Sequence, residues 1–263
     1  MTQSTEAQPI GLRAALQSGR ILTCALQSIP DPGISTILGW SGCDYVLLDW
    51  EHGPYTLDSL RHCLDALATT PAASAVRVAD GNSALIKQVL ELGVGGILIP
   101  AIGSAEQAQA AVAACRYPPE GIRGTGTGRA GRYGLSTASY RRSANSDTAV
   151  MIMVETREGV ENADAIATTP GLDGIFLGPH DLAADLGIEG SDDVLNDHVR
   201  SVVAAAARHG VPVGTSAAPA ELPGLIAQGM GIFLCYTDFA GLISSSDGAF
   251  AAATMQITGK PSK

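Results

Sequence analysis

His52, Arg77, Glu155 and Asp181, with the turn Gly178-Pro179-His180 just ahead of the last, are the residues whose types and spacing suit chemistry. Glu155 and Asp181 close two consecutive apolar segments. Their hard oxygens suit Mg2+ or Mn2+, accept Co2+ or Zn2+, and need water and substrate oxygens to complete the shell. So small a protein ligand set leaves positions open to a reacting molecule. Gly178-Pro179-His180-Asp181-Leu182 reads as a strand-to-helix turn with free backbone N–H groups, a seat for a substrate carboxylate. Arg77 adds the cation that a small oxyacid or a developing enolate needs. Histidine is the residue type that titrates nearest neutral pH, which gives His52 the proton-transfer role, and His180 lies in the anion turn within reach of the substrate. Taken singly, Arg77 suits a satisfied buried ion pair and Asp181 an ordinary helix start; their common place at strand ends is what joins them.

Eight apolar runs carry these groups: ILTCALQ (21–27), YVLLDW (45–50), ASAVRV (73–78), GILIPAI (96–102), AVMIMVE (149–155), LDGIFLGP (172–179), VPVGTSA (211–217) and GIFLCYTDF (231–239). They read as buried strands. Between them lie helical patterns such as TLDSLRHCLDALATT (56–70), SALIKQVLELG (83–93) and SAEQAQAAVAACRY (104–117), which open on Ser or Thr, and GLISSSDGAFAAATMQI (241–257) supplies a weaker eighth helix. Strands too apolar to expose a face, each followed by a helix, predict one (β/α)8 barrel over residues 1–263 with a polar tail at 1–10; an open doubly wound sheet is the alternative. In a barrel, strand C-termini gather at one rim, so LLDWEHGPY (47–55) ends in charge to deliver His52 there, with Asp49 and Glu51 as supporting or subunit-contact groups. The long interruption at 117–146 follows Arg116 and carries Arg123, Arg129, Arg132, Arg141 and Arg142; a segment of that length predicts a lid, a partner arm or an oligomer contact.

With 46% apolar and 16% charged residues the chain reads as a compact enzyme-like protein, and a net charge of −10 without a basic stripe argues against nucleic acid. The N-terminus has no signal-peptide pattern and no run is long enough to span a membrane, so a soluble cytoplasmic protein is expected. Five scattered cysteines without a CxxC pair predict reduced, mostly buried thiols. Lys87, Lys260 and Lys263 are the only lysines and none ends a strand, which excludes a Schiff-base mechanism. GTGTGRAG (124–131) follows no strand and is a weak dinucleotide or phosphate signal; GxSxG and P-loop motifs are absent. His62, His198 and His209 fall in helical patterns or at a helix end and read as surface residues.

The ordered motifs DWEHGP (49–54), VRV (76–78), IKQVLELG (86–93), RYPPEGIRG (116–124), VETREGVEN (154–162) and GIFLGPHDLAADLG (174–187) resemble the metal-dependent class II pyruvate aldolases of the HpcH/HpaI type, over roughly residues 11–245. That family includes 4-hydroxy-2-oxoheptanedioate and 2-dehydro-3-deoxyglucarate aldolases. The resemblance implies a phosphoenolpyruvate/pyruvate-type barrel and a homo-oligomer, a hexamer or trimer of dimers, in which the C-terminal helix (240–263) packs on a neighbouring subunit. It places the metal ligands on Glu155 and Asp181, the catalytic histidine on His52, the oxyanion arginine on Arg77 and an acid paired with the histidine on Glu91, where the family commonly has Asp. Met153 stands where several members carry Gln, and His180 where a small residue is common; both bear on substrate choice. The activity implied is a carbon–carbon lyase that makes or cleaves 4-hydroxy-2-oxo acids through the enolate of pyruvate or a related 2-oxo acid. The alternatives are a citrate-synthase-like condensing member acting on oxaloacetate in siderophore biosynthesis, an acyl-CoA ester lyase that uses the arginines of 116–142, and a non-catalytic barrel.

Overall fold

The computed structural model describes residues 11–188 and 193–259. The polar tail expected at 1–10 and the end of the chain at 260–263 lie outside the described residues. Eight parallel strands, β1 (Leu22–Gln27), β2 (Tyr45–Asp49), β3 (Ala73–Arg77), β4 (Gly96–Ile99), β5 (Ala149–Val154), β6 (Gly174–Leu177), β7 (Val213–Ser216) and β8 (Ile232–Thr237), pair in sequence order. β8 returns to β1 from Leu22↔Ile232 to Leu26↔Thr237, and this closure rules out the open sheet.

The helices are α1 (Leu12–Gln17), α2 (Pro32–Trp40), α3 (Leu57–Leu67), α4 (Ser83–Glu91), α5 (Ala105–Cys115), α6 (Thr137–Asp147), α7 (Arg157–Glu161), α8 (Ala163–Ala167), α9 (Pro179–Leu186), α10 (Asp193–Arg208), α11 (Leu222–Ala227) and α12 (Asp238–Thr258). Side chains at their starts fix several of them. Thr56 with Ser59 and Ser104 with Gln107 form reciprocal capping boxes on α3 and α5, while Asn82 caps α4 and Thr156 caps α7.

Strand residues alternate between two cores. Val46, Leu48, Val76, Ile97, Val150, Ile152 and Ile175 face the helices, whereas Tyr45, Leu47, Ala75, Leu98, Met151, Met153 and Phe176 fill the barrel interior. The short α1, which has no counterpart among the expected helices, plugs the N-terminal end of the barrel with Leu12, Ala15 and Leu16. Leu12 lies so close to Gly96 that a Cβ there would stand 2.7 Å from its Cδ2. Asp173 ties this end together, accepting from Arg13 Nε (2.7 Å), Gln17 Nε2 (3.1 Å), Arg116 Nη2 (3.0 Å) and the Val150 N–H (2.9 Å).

The 117–146 segment lies at this same N-terminal end, so the lid expectation is corrected. A 3-10 turn (Arg129–Gly134) and α6 order it, and Arg123 and Arg129 within it, with Arg116 just ahead, make structural contacts. Arg116 also donates to the carbonyls of Thr148 and Gly171, Arg123 to Leu90 O and Tyr140 Oη, and Arg129 to Leu92 O and Asp65. At the other extreme of the chain, α12 runs for 21 residues and leaves Leu242 (59%), Phe250 (73%) and Ile257 (83%) exposed. None of the described helices is long and apolar enough to cross a membrane.

Candidate active site

Strand register assembles the C-terminal rim. β2 and β3 pair Asp49 directly with Arg77, and both share the inward parity of Leu47 and Ala75. One carboxylate then organises the region: Asp49 Oδ1 accepts from Arg77 Nε (2.9 Å) and from the backbone N–H groups of Glu51 (3.2 Å) and His52 (3.3 Å), and Oδ2 accepts from Arg77 Nη2 (2.9 Å). Asp49 is 2% exposed and Arg77 13% at the side chain, a desolvated bidentate pair. Burial opposes the charge on Arg77, but the Asp49 hydrogen bonds and the nearby acids outweigh it and hold the guanidinium above its ordinary pKa. With Nε and Nη2 engaged, Nη1 faces the Met153 sulfur at 3.8 Å and has no oxygen partner.

Glu155 follows β5 with the inward parity of Met151 and Met153 and is buried. Its Oε1 accepts the Ala101 N–H at 2.7 Å. Its Oε2 lies over Gly178, where a Cβ would come within 2.7 Å of it and 2.9 Å of the Glu155 Cβ, so a larger residue there would displace the Glu155 side chain. Burial raises the Glu155 pKa, the Ala101 hydrogen bond opposes that, and the Asp181 charge adds to it, against Arg77 and His52. Asp181 sits exposed in the first turn of α9, after Pro179 at its start and the exposed His180. Pro179 and His180 border an open cavity of about 960 Å3 that continues along Thr215, Ser216, Tyr236 and Thr237.

The His52 imidazole is 69% exposed, with Nε2 3.7 Å from Glu51 Oε2. Burial raises the Glu51 pKa, with Arg77 and His52 opposing. Its Oε2 is buried and accepts no hydrogen bond although Arg77 Nε stands 3.1 Å away, because that N–H is directed at Asp49. His52, Arg77, Glu155 and Asp181 therefore share one rim, as the strand-end pattern predicts, joined by Asp49 and Glu51.

Glu91 does not join them within one chain. It ends α4, whose C-terminus leads into the start of β4, so it lies at the opposite end of the barrel from His52. There its Oε1 is 3.4 Å from Arg123 Nη2, and Gly126 and Gly128 pack against its Oε2. Two of the GTGTGRAG glycines, Gly126 and Gly128, thus serve close packing on an acid. His62 and His209 are exposed beside Asp58 and Asp164, and Lys87 is exposed on α4 outside the barrel.

Two contributors escaped the sequence reading. Asp49 was placed among supporting groups without its role as common acceptor; the parity of Asp49 and Arg77 at the ends of adjacent strands was the available signal. Ala101 supplies a backbone donor, which no side-chain pattern announces.

The HpcH/HpaI aldolase/citrate lyase family matches residues 29–230. A 2-keto-3-deoxy-L-rhamnonate aldolase of Klebsiella pneumoniae is 42% identical over 172 residues, which is 65% of this chain and 63% of the relative. A 5-keto-4-deoxy-D-glucarate aldolase of the same species is 36% identical over 208 residues, 78% of this chain and 81% of the relative. A crystal structure of an HpcH/HpaI aldolase/citrate lyase family protein from Burkholderia cenocepacia superposes with a TM-score of 0.88 at 29% identity, covering 92% of this chain and 98% of that one. With the family model matching residues 29–230 and aldolase relatives at 36% and 42% identity, the chain belongs to the HpcH/HpaI aldolase/citrate lyase family and is an aldolase-type lyase.

Proposed function

We propose that this rim is the active site of a metal-dependent aldolase that cleaves or forms 4-hydroxy-2-oxo acids, with pyruvate or a related 2-oxo acid as the donor. The observation that carries the proposal is the charge balance: Asp49, Glu51, Glu155 and Asp181 act on a site whose permanent cation is Arg77. The Asp181 charge adds to the cost of ionising the buried Glu155, and Glu51 keeps a buried oxygen without a donor, which fits a divalent cation with its water. Among the described residues no three or more His, Cys, Asp or Glu side chains form a ready-made cage. Glu155 and Asp181 would hold Mg2+ or Mn2+, leaving the other positions to substrate and water. When bound, such a cation polarises the 2-oxo carbonyl and lowers the charge that builds up as the carbon–carbon bond breaks.

The chain's own groups do the rest. The first turn of α9 seats the carboxylate on the backbone N–H groups of His180 and Asp181, since the Gly178 N–H donates to Val154 O at 3.3 Å and Pro179 has none, and Arg77 Nη1 faces the developing enolate oxygen. His52 accepts the proton of the C4 hydroxyl as the C3–C4 bond breaks. The bond pair passes to C3, C4 leaves as an aldehyde, and the proton returns to C3 of the enolate to give the 2-oxo acid. Solvent exposure lets His52 exchange that proton, and the cavity beside His180 receives the remainder of the substrate. The family's acid partner for the histidine can be Glu91 only from another subunit, which the exposed apolar face of α12 supports as a homo-oligomer. Arg116, Arg123 and Arg129 are engaged at the opposite end of the barrel, which weighs against the acyl-CoA reading.

The test is exchange of the C3 protons of pyruvate in deuterated water, followed by NMR, on chelator-treated protein with and without Mg2+ or Mn2+. Metal-dependent exchange is expected. Exchange unaffected by chelation removes the metal from the mechanism, and turnover of oxaloacetate without pyruvate exchange favours the condensing member.

A further inference from the structure

Ala101 is held in a backbone conformation that its residue type disfavours. Its φ is +55°, in the left-handed region, where glycine would sit without steric cost. Such strain persists where the surroundings over-determine it and gathers at functional sites. Here the surroundings are explicit. The β4–β5 ladder runs to Ile99↔Ile152 and is picked up again by the Ile102 N–H, which donates to Met153 O at 3.1 Å. Beyond it, Asn162 Nδ2 donates to Gly103 O at 2.8 Å and the Gly103 N–H donates to Gln107 Oε1 at 2.7 Å. Pro100 and Ala101 are therefore a step between two anchored points, and the left-handed Ala101 turns its N–H onto Glu155 Oε1 at 2.7 Å. Ala101 is exposed, so its side chain adds no buried packing that would account for the strain.

The consequence falls on Glu155. One of its oxygens is claimed by the Ala101 N–H, and the other lies over Gly178, the residue that leads into the turn bearing Asp181. We infer that Ala101 is a positioning residue: its left-handed backbone commits one oxygen of Glu155 to the protein and presents the other toward Asp181 as a single-oxygen ligand for the divalent cation. This rests on the assignment of Glu155 as a ligand. A group that orients a ligand is expected to change metal affinity without touching the metal.

The test is a series at one position, read by Mn2+ titration calorimetry on the full chain, with thermal melting to show that each variant is folded at the assay temperature. Ala101→Gly and Ala101→Asn keep the N–H and tolerate a positive φ, so both are expected to bind Mn2+ within about twofold of the parent. Ala101→Val keeps the N–H but resists the left-handed region, and its dissociation constant is expected to rise about tenfold. Should the valine variant fail to fold, Ala101→Leu takes its place in the series. Equal affinity across all folded variants overturns the inference. Parent protein that binds no Mn2+, or Glu155→Gln protein that binds as the parent does, overturns the ligand assignment instead, and the two failures are distinct. A role in folding alone would lower the melting temperature of the valine variant and leave its Mn2+ affinity unchanged.

Discussion

Asp49→Asn separates the positioning of Arg77 from every other property of the rim. The amide oxygen can keep the place of Oδ1 and go on accepting from Arg77 Nε, Glu51 N–H and His52 N–H. What is lost is the Oδ2 contact to Nη2 at 2.9 Å, which becomes an amine facing an amine, together with the negative charge of a pair that is 2% and 13% exposed. Removing one partner of a buried pair costs about 3–5 kcal/mol in general. Glu51 remains 3.1 Å from Nε as a second anion, so the loss reduces to one charged hydrogen bond, about 2–3 kcal/mol. For a chain of this size that lowers Tm by about 5–10 °C. If the guanidinium corner proposed to face the enolate is displaced by the same interaction, kcat/KM for cleavage of a 4-hydroxy-2-oxo acid falls about 30- to 160-fold, since each 1.36 kcal/mol is a decade. Mn2+ affinity, measured by titration, should stay within about twofold because Glu155 and Asp181 are untouched. A variant that loses stability on this scale while kcat/KM stays within about threefold would show that Arg77 is oriented without Asp49, and the proposed role of the pair would be wrong.

His52→Ala should suppress C3 exchange of pyruvate in deuterated water while leaving Mn2+ binding in place; undiminished exchange removes His52 from proton transfer. Arg116→Met breaks the buried contact with Asp173 at the far end of the barrel, so about 3–5 kcal/mol of stability should be lost in denaturant titration with kcat/KM unchanged, and a large activity loss would show coupling through the barrel. Burial pushes the Cys24 and Cys115 thiols up to about 12, so a thiol reagent should label the half-buried Cys43 and Cys235 first, and all five cysteines only after denaturation. Thiols with raised folded-state pKa values stabilise the fold at pH below their ordinary value of about 8.5, so Tm should decline as pH rises from there toward 12; a flat profile across that window refutes the burial. If α12 forms the proposed subunit interface, Leu242→Asp with Phe250→Asp should lower the particle mass in sedimentation velocity, and an unchanged mass refutes that interface.

The fold and the site were legible to different depths because they are written at different ranges. Strand number and order follow from local hydrophobic runs, and all eight appear within two or three residues of their expected limits. α1 was missed because LRAALQ is too short to establish a period, and its burial depends on a contact with Gly96 and Asp173 that sequence distance conceals. The length and arginines of the 117–146 segment suit a lid as well as a partner arm or an oligomer contact, because they are visible in the sequence while their partners are not. Asp173, the carbonyls of Leu90 and Leu92, and Asp65 belong to other elements, and only the closed barrel brings them to its N-terminal end.

The same distinction explains the site. Charged residues that end strands can be assigned to a rim from topology alone, which placed His52, Arg77, Glu155 and Asp181 correctly at one end of the barrel. Topology also separates what the family motif joins: Glu91 lies in a matching motif but ends a helix, and helices end where strands begin. What sequence could not supply is the division of labour between neighbours. Asp49 and Glu51 differ in type by one methylene and in position by two residues, yet Asp49 takes the inward parity and accepts from three residues, while Glu51, beyond the strand end, retains a buried oxygen with no donor. A carboxylate saturated by protein donors positions its neighbours, and one left unsaturated awaits water or a cation. Glu155 stands between these limits, with one oxygen taken by the Ala101 N–H and the other lying over Gly178, the residue that leads into the turn bearing Asp181, as the proposed ligand role requires.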